Sequence, residues 1–321
     1  MFEDHKITYL RQHVRVRRVQ RLSMLREAVA HMLAISARTI PHAAMVSEFD
    51  VTNLIEYTRD KGKAGADAET SSAEAIFKRA IHKNYSAFFL KAFSHALHHT
   101  PCMNAFLDYT PLRNGGTLYH AEDINLGFTV HTKYGVIRPV MRNAHQKTLE
   151  TVAAEMRDLT RRARRTDPEE VYTGAAKLYI WPALKQLDVR ALLPGWLVLR
   201  SRLFRQQPDP AYTAIPQEQK LRAEEILGAT CTLANIGMMV SGHQTLMAIT
   251  PPEVMMFGLG NLHHAARVID GQVVPRWVIA VSAAMDHRAF DAGEAFPFGD
   301  HLRKYTDNPA LIYEWKPGDE V

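Results

Sequence analysis

The stretch DHRAFDAG, residues 286–293, places His287 four positions before Asp291. A neutral imidazole accepts protons near neutral pH, and a carboxylate beside it orients the ring or steadies the imidazolium, so this pair has the composition of a general base. The same spacing also arises by chance on surface turns. Other chemistry-bearing residues are scattered. Cys102 and Cys231 lie far apart, which excludes a disulfide framework and zinc-type spacing. Cys231 reads as a small core filler, since no histidine neighbours it in sequence. The pairs His98–His99 and His263–His264 lack the spacing or the carboxylate company of a metal site and read as surface or capping residues. His42, near the start of a strand, reads as packing. There is no glycine-rich phosphate loop, no G-x-S-x-G elbow and no internal repeat.

The elements that must position His287 and Asp291 can be read from periodicity. Residues 21–38 carry Leu22, Leu25, Val29, Met32 and Leu33 at helical spacing, and TIPHAA ends that helix. MVSEFDV (45–51) reads as a strand, VTNLIEYTRDK as a helix capped by Thr52 or Asn53, and 61–74 as a polar loop. AFFLKAFSHALHHT is a buried-looking helix. Residues 118–142 alternate like paired strands with a turn at Gly135, and LETVAAEMRDLTRRAR is an amphipathic helix. After an irregular region at 166–220 come three short apolar strands, ATCTLANIGMMVSG, EVMMFGLGN and WVIAVSAAMDH, and GEAFPFGDHLRKYTDN closes with a helix. Strands and helices mix without a βαβ rhythm, so the fold class is α+β.

The chain's 321 residues suffice for a large core, and its composition is that of an ordinary globular protein. The net charge of +5 is concentrated at Arg11, Arg15, Arg17, Arg18 and Arg21 and again at 157–165, runs that read as solvated helix faces. The first residues lack the layout of a signal peptide, and the greasiest stretch, ALLPGWLVL at 191–199, is about half of what a bilayer crossing needs. A cytoplasmic protein is expected, with no metal, nucleic-acid or membrane role.

Five blocks in register carry a resemblance: TIPHAAMVSEFDVTNLI (39–55), GVIRPVMRNAHQKTLETVAAEM (135–156), TCTLANIGMM (230–239), ITPPEVMMFGLG (249–260) and DHRAFDAG. Together they resemble the catalytic domain of dihydrolipoamide acyltransferases, the core component of 2-oxo acid dehydrogenase complexes, across residues 20–165 and 221–318. The resemblance implies a chloramphenicol acetyltransferase-like mixed sheet with flanking helices. It also implies an obligate trimer, sometimes assembled further, with channels between subunits through which coenzyme A and a lipoyl arm enter. The domains it implies are a basic segment 1–20 and a catalytic domain 21–321 with an insertion at 166–220. A match that begins near residue 20 leaves no lipoyl or subunit-binding domain, so a lipoyl group, if used, would arrive in trans on a lipoylated or other acyl-carrying partner.

In that family the histidine, here His287, deprotonates a thiol, and the thiolate attacks an acyl thioester; pKa values of about 8.5 and about 6.5 allow the transfer. Asp291 is implied to hold the active-site loop through an arginine of the first helix, here Arg26. Thr250 and Pro251, in a turn near the coenzyme A channel, and Gly237 are the implied cofactor-binding positions.

The sequence departs from the family pattern in places. Ala292 stands where the family has glycine; a positive φ there would cost of order 1 kcal/mol unless Gly293 took the role. Ala234, in TLAN, replaces a hydroxyl residue that stabilises the oxyanion, a loss worth about 100- to 1,000-fold in rate. Thr232 or Asn235 is then the candidate substitute. The apolar, basic insertion reads as a packed helical flap, a lid or a docking surface. Three functions remain open: a free-standing acyltransferase with His287 as base, a trimeric core subunit whose chemistry is impaired, and a small-molecule O-acetyltransferase.

Overall fold

The computed structural model describes residues 2–63, 73–110, 115–133, 135–185, 210–236 and 245–321. Helices α1 (Phe2–His13) and α2 (Met24–Thr39) lead into β1 (His42–Asp50), followed by α3 (Thr52–Lys63) and α4 (Ala73–His98). Seven strands or helices then run in order: β2 (Ala105–Thr110), β3 (Gly115–His120), β4 (Asn125–Phe128), β5 (Val130–Thr132), β6 (Gly135–Ile137), β7 (Val140–Arg142) and α5 (Leu149–Ala163). The chain closes with α6 (Pro168–Lys185), β8 (Cys231–Asn235), β9 (Met255–Ile269), β10 (Gln272–Asp286) and α7 (Ala292–Asp307).

Six strands form one sheet in the order β1-β10-β9-β8-β4-β7. β8 runs parallel to both β4 and β9, while the outer pairings are antiparallel, so the sheet is mixed, as expected. One face is covered by the second half of α4, which is buried almost throughout from Ala87 to Leu97. Phe88, Phe89, Leu90, Phe93 and Leu97 are all buried there. Phe93 meets Phe257 of β9 edge-on at 4.8 Å between ring centres, and Phe257 stacks on Phe298 of α7 at 4.6 Å, which ties helix, sheet and closing helix together. The opposite face carries a smaller cluster of Ile40, Ala234, Ile249, Met256 and Ala284.

Several elements differ from the sequence expectation for physical reasons. β9 and β10 are each 15 residues long, joined by Asp270-Gly271, both at positive φ (49° and 78°). Asp-Gly between β-branched runs is a strong hairpin signal, and it extends both strands well past their apolar cores. α3 is capped one step early: the Asp50 carboxylate accepts from the Thr52 N–H (2.9 Å), while Thr52 Oγ1 accepts from the Trp277 N–H (2.9 Å). The described part of 166–220 is not irregular. It contains the 18-residue α6, whose Val171, Ala175 and Ile180 are buried. The stretch 191–199 lies outside the described residues; among those described, no helix is long and apolar enough to cross a membrane.

Candidate active site

β10 ends at Asp286, and the turn that follows carries His287 before α7 begins. Three backbone and side-chain restraints fix that turn. The Asp286 N–H donates to Val254 O (2.9 Å), and the His287 N–H donates to Pro41 O (3.2 Å). The buried Asp286 carboxylate accepts from Arg288 Nε (2.9 Å) and Nη2 (2.6 Å), a bidentate pair that keeps the Arg288 guanidinium more firmly protonated than usual. The same guanidinium lies 5.0 Å from the ring centre of Tyr109.

Within this frame His287 Nδ1 stands 3.4 Å from Asp291 Oδ1, with the two side chains 48% and 82% exposed. The ring's Nε2 has no partner among the described residues. Asp291 also caps α7: its N–H donates to Glu294 Oε2 (2.9 Å), the reciprocal bond of a capping box. The arrangement therefore presents a half-exposed imidazole, steadied on one nitrogen and open on the other.

The expected Arg26–Asp291 pair is not formed within the chain. Arg26 is exposed in the first turn of α2; its backbone N–H donates to Ser23 Oγ (3.2 Å), and its guanidinium has no partner among the described residues. The end of α2 that approaches His287 is the other one, through Pro41, about 20 Å along the helix axis at 1.5 Å per residue. Ala292 is the first residue of α7 and neither it nor Gly293 has a positive φ, so the expected loop strain is absent.

The candidate oxyanion side is on β8. Ala234 is buried in the small cluster beside Ile249 and Met256. Thr232 faces the same way, but its hydroxyl donates to Glu253 Oε2 (2.6 Å) and accepts from Arg138 Nη1 (2.6 Å), so its one proton is committed. The Asn235 amide donates to Ser86 Oγ on α4 (2.9 Å). The Thr232 hydroxyl thus has no free proton, and one N–H of the Asn235 amide is turned to α4. Thr250 and Pro251 lie in the turn ahead of β9, in which the Pro251-Pro252 peptide is cis and the Glu253 N–H closes on Thr250 O (3.1 Å). Gly237 lies outside the described residues.

His42, expected to be a packing residue, is exposed, and its ring is held by hydrogen-bonding contacts at the start of β1. Its Nδ1 lies 2.9 Å from Ile40 O and its Nε2 accepts from the Ile249 N–H (3.2 Å), while Ser36 Oγ donates to Ile249 O (2.6 Å). Cys231 is buried, and that burial pushes its thiol well above the usual range, away from nucleophile chemistry. His264 stacks near Trp277 at 3.7 Å, and His263 lies 3.6 Å from Glu48. No group of three or more His, Cys, Asp or Glu among the described residues could hold a metal ion. Sequence reasoning missed Arg138 and Glu253. The signal was available, for each is a charge set inside an apolar run, GVIRPV and PPEVMMF.

Comparison with known proteins agrees with this architecture. The dihydrolipoyllysine-residue acetyltransferase component of the Bacillus subtilis pyruvate dehydrogenase complex is 25% identical over 293 residues, 91% of this chain and 51% of that protein. The chain thus spans about half the length of the curated relatives it matches. The structure of Azotobacter vinelandii dihydrolipoamide acetyltransferase, in which a serine, a histidine and an asparagine were studied for their catalytic roles, superposes with a TM-score of 0.64 at 22% identity, covering 94% and 95% of the two chains. A truncated catalytic core from Thermoplasma acidophilum gives 0.56 at 19% identity, covering 91% and 99%. The sequence profile of the 2-oxoacid dehydrogenases acyltransferase (catalytic domain) family matches residues 15–175 and 212–314. The chain belongs to that acyltransferase family.

Proposed function

We propose that this chain is a coenzyme A-dependent acyltransferase that moves a short acyl group between coenzyme A and a lipoyl-type thiol, with His287 as general base. The observation that carries the reading is the open Nε2 of a half-exposed imidazole whose Nδ1 faces Asp291 at 3.4 Å. Nε2 takes the proton of the incoming thiol, and the thiolate sulfur attacks the thioester carbonyl. As the tetrahedral intermediate collapses, the departing thiolate recovers that proton from the imidazolium. Asp291 keeps the ring turned so that Nε2 faces the incoming thiol. Coenzyme A and the lipoyl group are both substrates here, the latter supplied on a partner protein, with Thr250 and Pro251 lining the coenzyme A side. The working unit is a homotrimer or a larger assembly of trimers.

The test is acyl exchange between short acyl-coenzyme A thioesters and free dihydrolipoamide. His287→Ala should lower the rate by about 100- to 10,000-fold, the usual range for a general base. Equal rates in the two proteins would refute the assignment. A second reading, a core subunit with impaired chemistry, is favoured by one specific feature: Ala234 offers no hydroxyl, and the Thr232 proton is already held by Glu253. In that case both proteins exchange acyl groups no faster than buffer while still assembling.

A further inference from the structure

Glu253 is 4% exposed, and both of its carboxylate oxygens are engaged. Oε1 accepts from Arg138 Nη1 (2.5 Å) and Oε2 accepts from the Thr232 hydroxyl (2.6 Å), while the same Nη1 also donates to Thr232 Oγ1 (2.6 Å). Burial pushes the Glu253 carboxyl up, and Arg138 and Thr232 oppose that shift. The three groups come from three separate segments: the link between β6 and β7, strand β8, and the turn before β9. Arg138 reaches the junction because β4 has glycine beneath it; a Cβ on Gly127 would sit 3.0 Å from Arg138 Cδ.

The turn that contains Glu253 is connected to His287 by a short path. Pro252 O accepts from the Leu107 N–H (3.0 Å), and Val254 O, one residue after Glu253, accepts from the Asp286 N–H (2.9 Å). Asp286 is the residue before His287. From the buried carboxylate to the imidazole-bearing residue there are two covalent steps and one backbone hydrogen bond. The position of His287 therefore depends on where this turn sits.

We propose that Glu253 is a positioning residue: its bonds to Arg138 and Thr232 fix the 250–254 turn and, through the Val254–Asp286 hydrogen bond, set where His287 stands. This role is the one expected from an Arg26–Asp291 pair, carried out by a different pair of charges. It rests on His287 being the base. A buried ion pair can commonly be replaced by apolar residues of similar volume without loss of stability. A charge pair at this position is therefore better explained by the geometry it fixes than by stability.

The experiment compares the full-length wild-type chain with Glu253→Gln, Thr232→Val and the double variant Arg138→Met/Glu253→Leu. It measures thermal midpoint, kcat and both KM values for acetyl-coenzyme A and dihydrolipoamide. The double variant is expected to keep its thermal midpoint and both KM values but lose about 100-fold in kcat, the scale of a displacement of about 1 Å at a reacting group. Glu253→Gln, which keeps the shape and one acceptor oxygen but turns the other into a donor, should recover part of that loss, to within about tenfold of wild type, and Thr232→Val should lie between wild type and the double variant. A folded double variant with wild-type kcat would overturn the proposal, as would kcat and KM failing together. Should the double variant not fold, Thr232→Val decides: a normal kcat there overturns the proposal equally.

If the wild type shows no His287-dependent turnover, the functional reading fails separately. The positioning role is then read from the His287 ring resonances, assigned against His287→Ala. They should move in Thr232→Val and in the double variant, and unchanged resonances would refute it.

Discussion

The two halves of the candidate site are built to different standards of readiness. On the base side, His287 stands on a turn tied down by Val254, Pro41 and the Asp286–Arg288 pair, with a ring half-exposed and one nitrogen open. On the oxyanion side, β8 offers a buried methyl at Ala234, a hydroxyl at Thr232 whose proton belongs to Glu253, and an amide at Asn235 turned toward α4. Proton transfer and oxyanion stabilisation are separable contributions, and an enzyme missing one keeps part of its rate from the other. The contrast teaches that sharing a family's fold and a histidine–carboxylate turn does not bring every candidate site group with it, and that the difference can be placed on a single strand.

The largest expected change that would break this contrast, after removal of the base itself, is the repair of β8. Ala234→Ser restores a hydroxyl at the position where the family has one. If its absence limits the rate, acyl exchange should rise by about 10- to 100-fold with little change in KM, the lower part of the range for one oxyanion donor. Steady-state exchange with acetyl-coenzyme A and dihydrolipoamide is the measurement. An unchanged or lower rate would mean that the neighbours over Ala234, among them Ile249 and Met256, enclose the position too tightly for a hydroxyl to reach substrate.

How much of this was legible in the sequence varied with the range of the interaction. His287, Asp291 and the strand leading to them were legible because the turn is local: four residues and one helix start define it. The α4 core was legible from its apolar run. The Arg138–Glu253–Thr232 junction was not, since Arg138 lies 94 and 115 positions from its two partners, which are themselves 21 apart, and the three meet only once β4, β8 and the turn before β9 are aligned. The Arg26–Asp291 pair failed for the converse reason. Family pattern put two charges in one site, but the helix carrying Arg26 approaches His287 with its far end. Gly237 and much of the 166–220 stretch lie outside the described residues.

Acid is the next, smaller lever, and it separates the site from its scaffold. Lys91, His95 and His145 are buried against one another, with His98, His99 and His301 adjoining; His99 and His301 stack at 3.9 Å. Lys304, Asp123 and Asp300 face the rim of this cluster. Burial lowers His95 to about 3, His145 to about 4 and Lys91 to about 7. Each is a base whose folded pKa lies below its unfolded one, so the unfolded chain takes the proton first. For the histidines, stability is intact above about pH 6.5 and falls as the pH drops toward 4, by up to about 1.4 kcal/mol per unit for each imidazole. Lys91 acts in a higher window, adding stability as the pH rises from about 7 toward 10. Urea unfolding at pH 7 and pH 5 checks this: the midpoint should fall, and His145→Phe should flatten the fall while leaving acyl exchange at pH 7 in place. An identical slope in that variant would clear the cluster and assign acid inactivation to the active site.

The smallest effect tests the base side from within. The family resemblance set Ala292 where glycine is expected, so that a positive φ there would be costly unless Gly293 took the role. The structure instead has both residues in the first turn of α7 at ordinary φ, with open space where a Cβ on Gly293 would lie. A glycine in that setting only adds freedom to the unfolded chain, so Gly293→Ala should stabilise the protein by about 0.5 kcal/mol. The change should also leave His287 in place, because Asp291 is held by its capping bond to Glu294 and not by anything at residue 293. Thermal midpoint and exchange rate together decide it. A higher midpoint with unchanged turnover confirms a relaxed turn, whereas a lower midpoint with lost turnover would restore the strained loop and, with it, a role for Gly293 in aiming the imidazole.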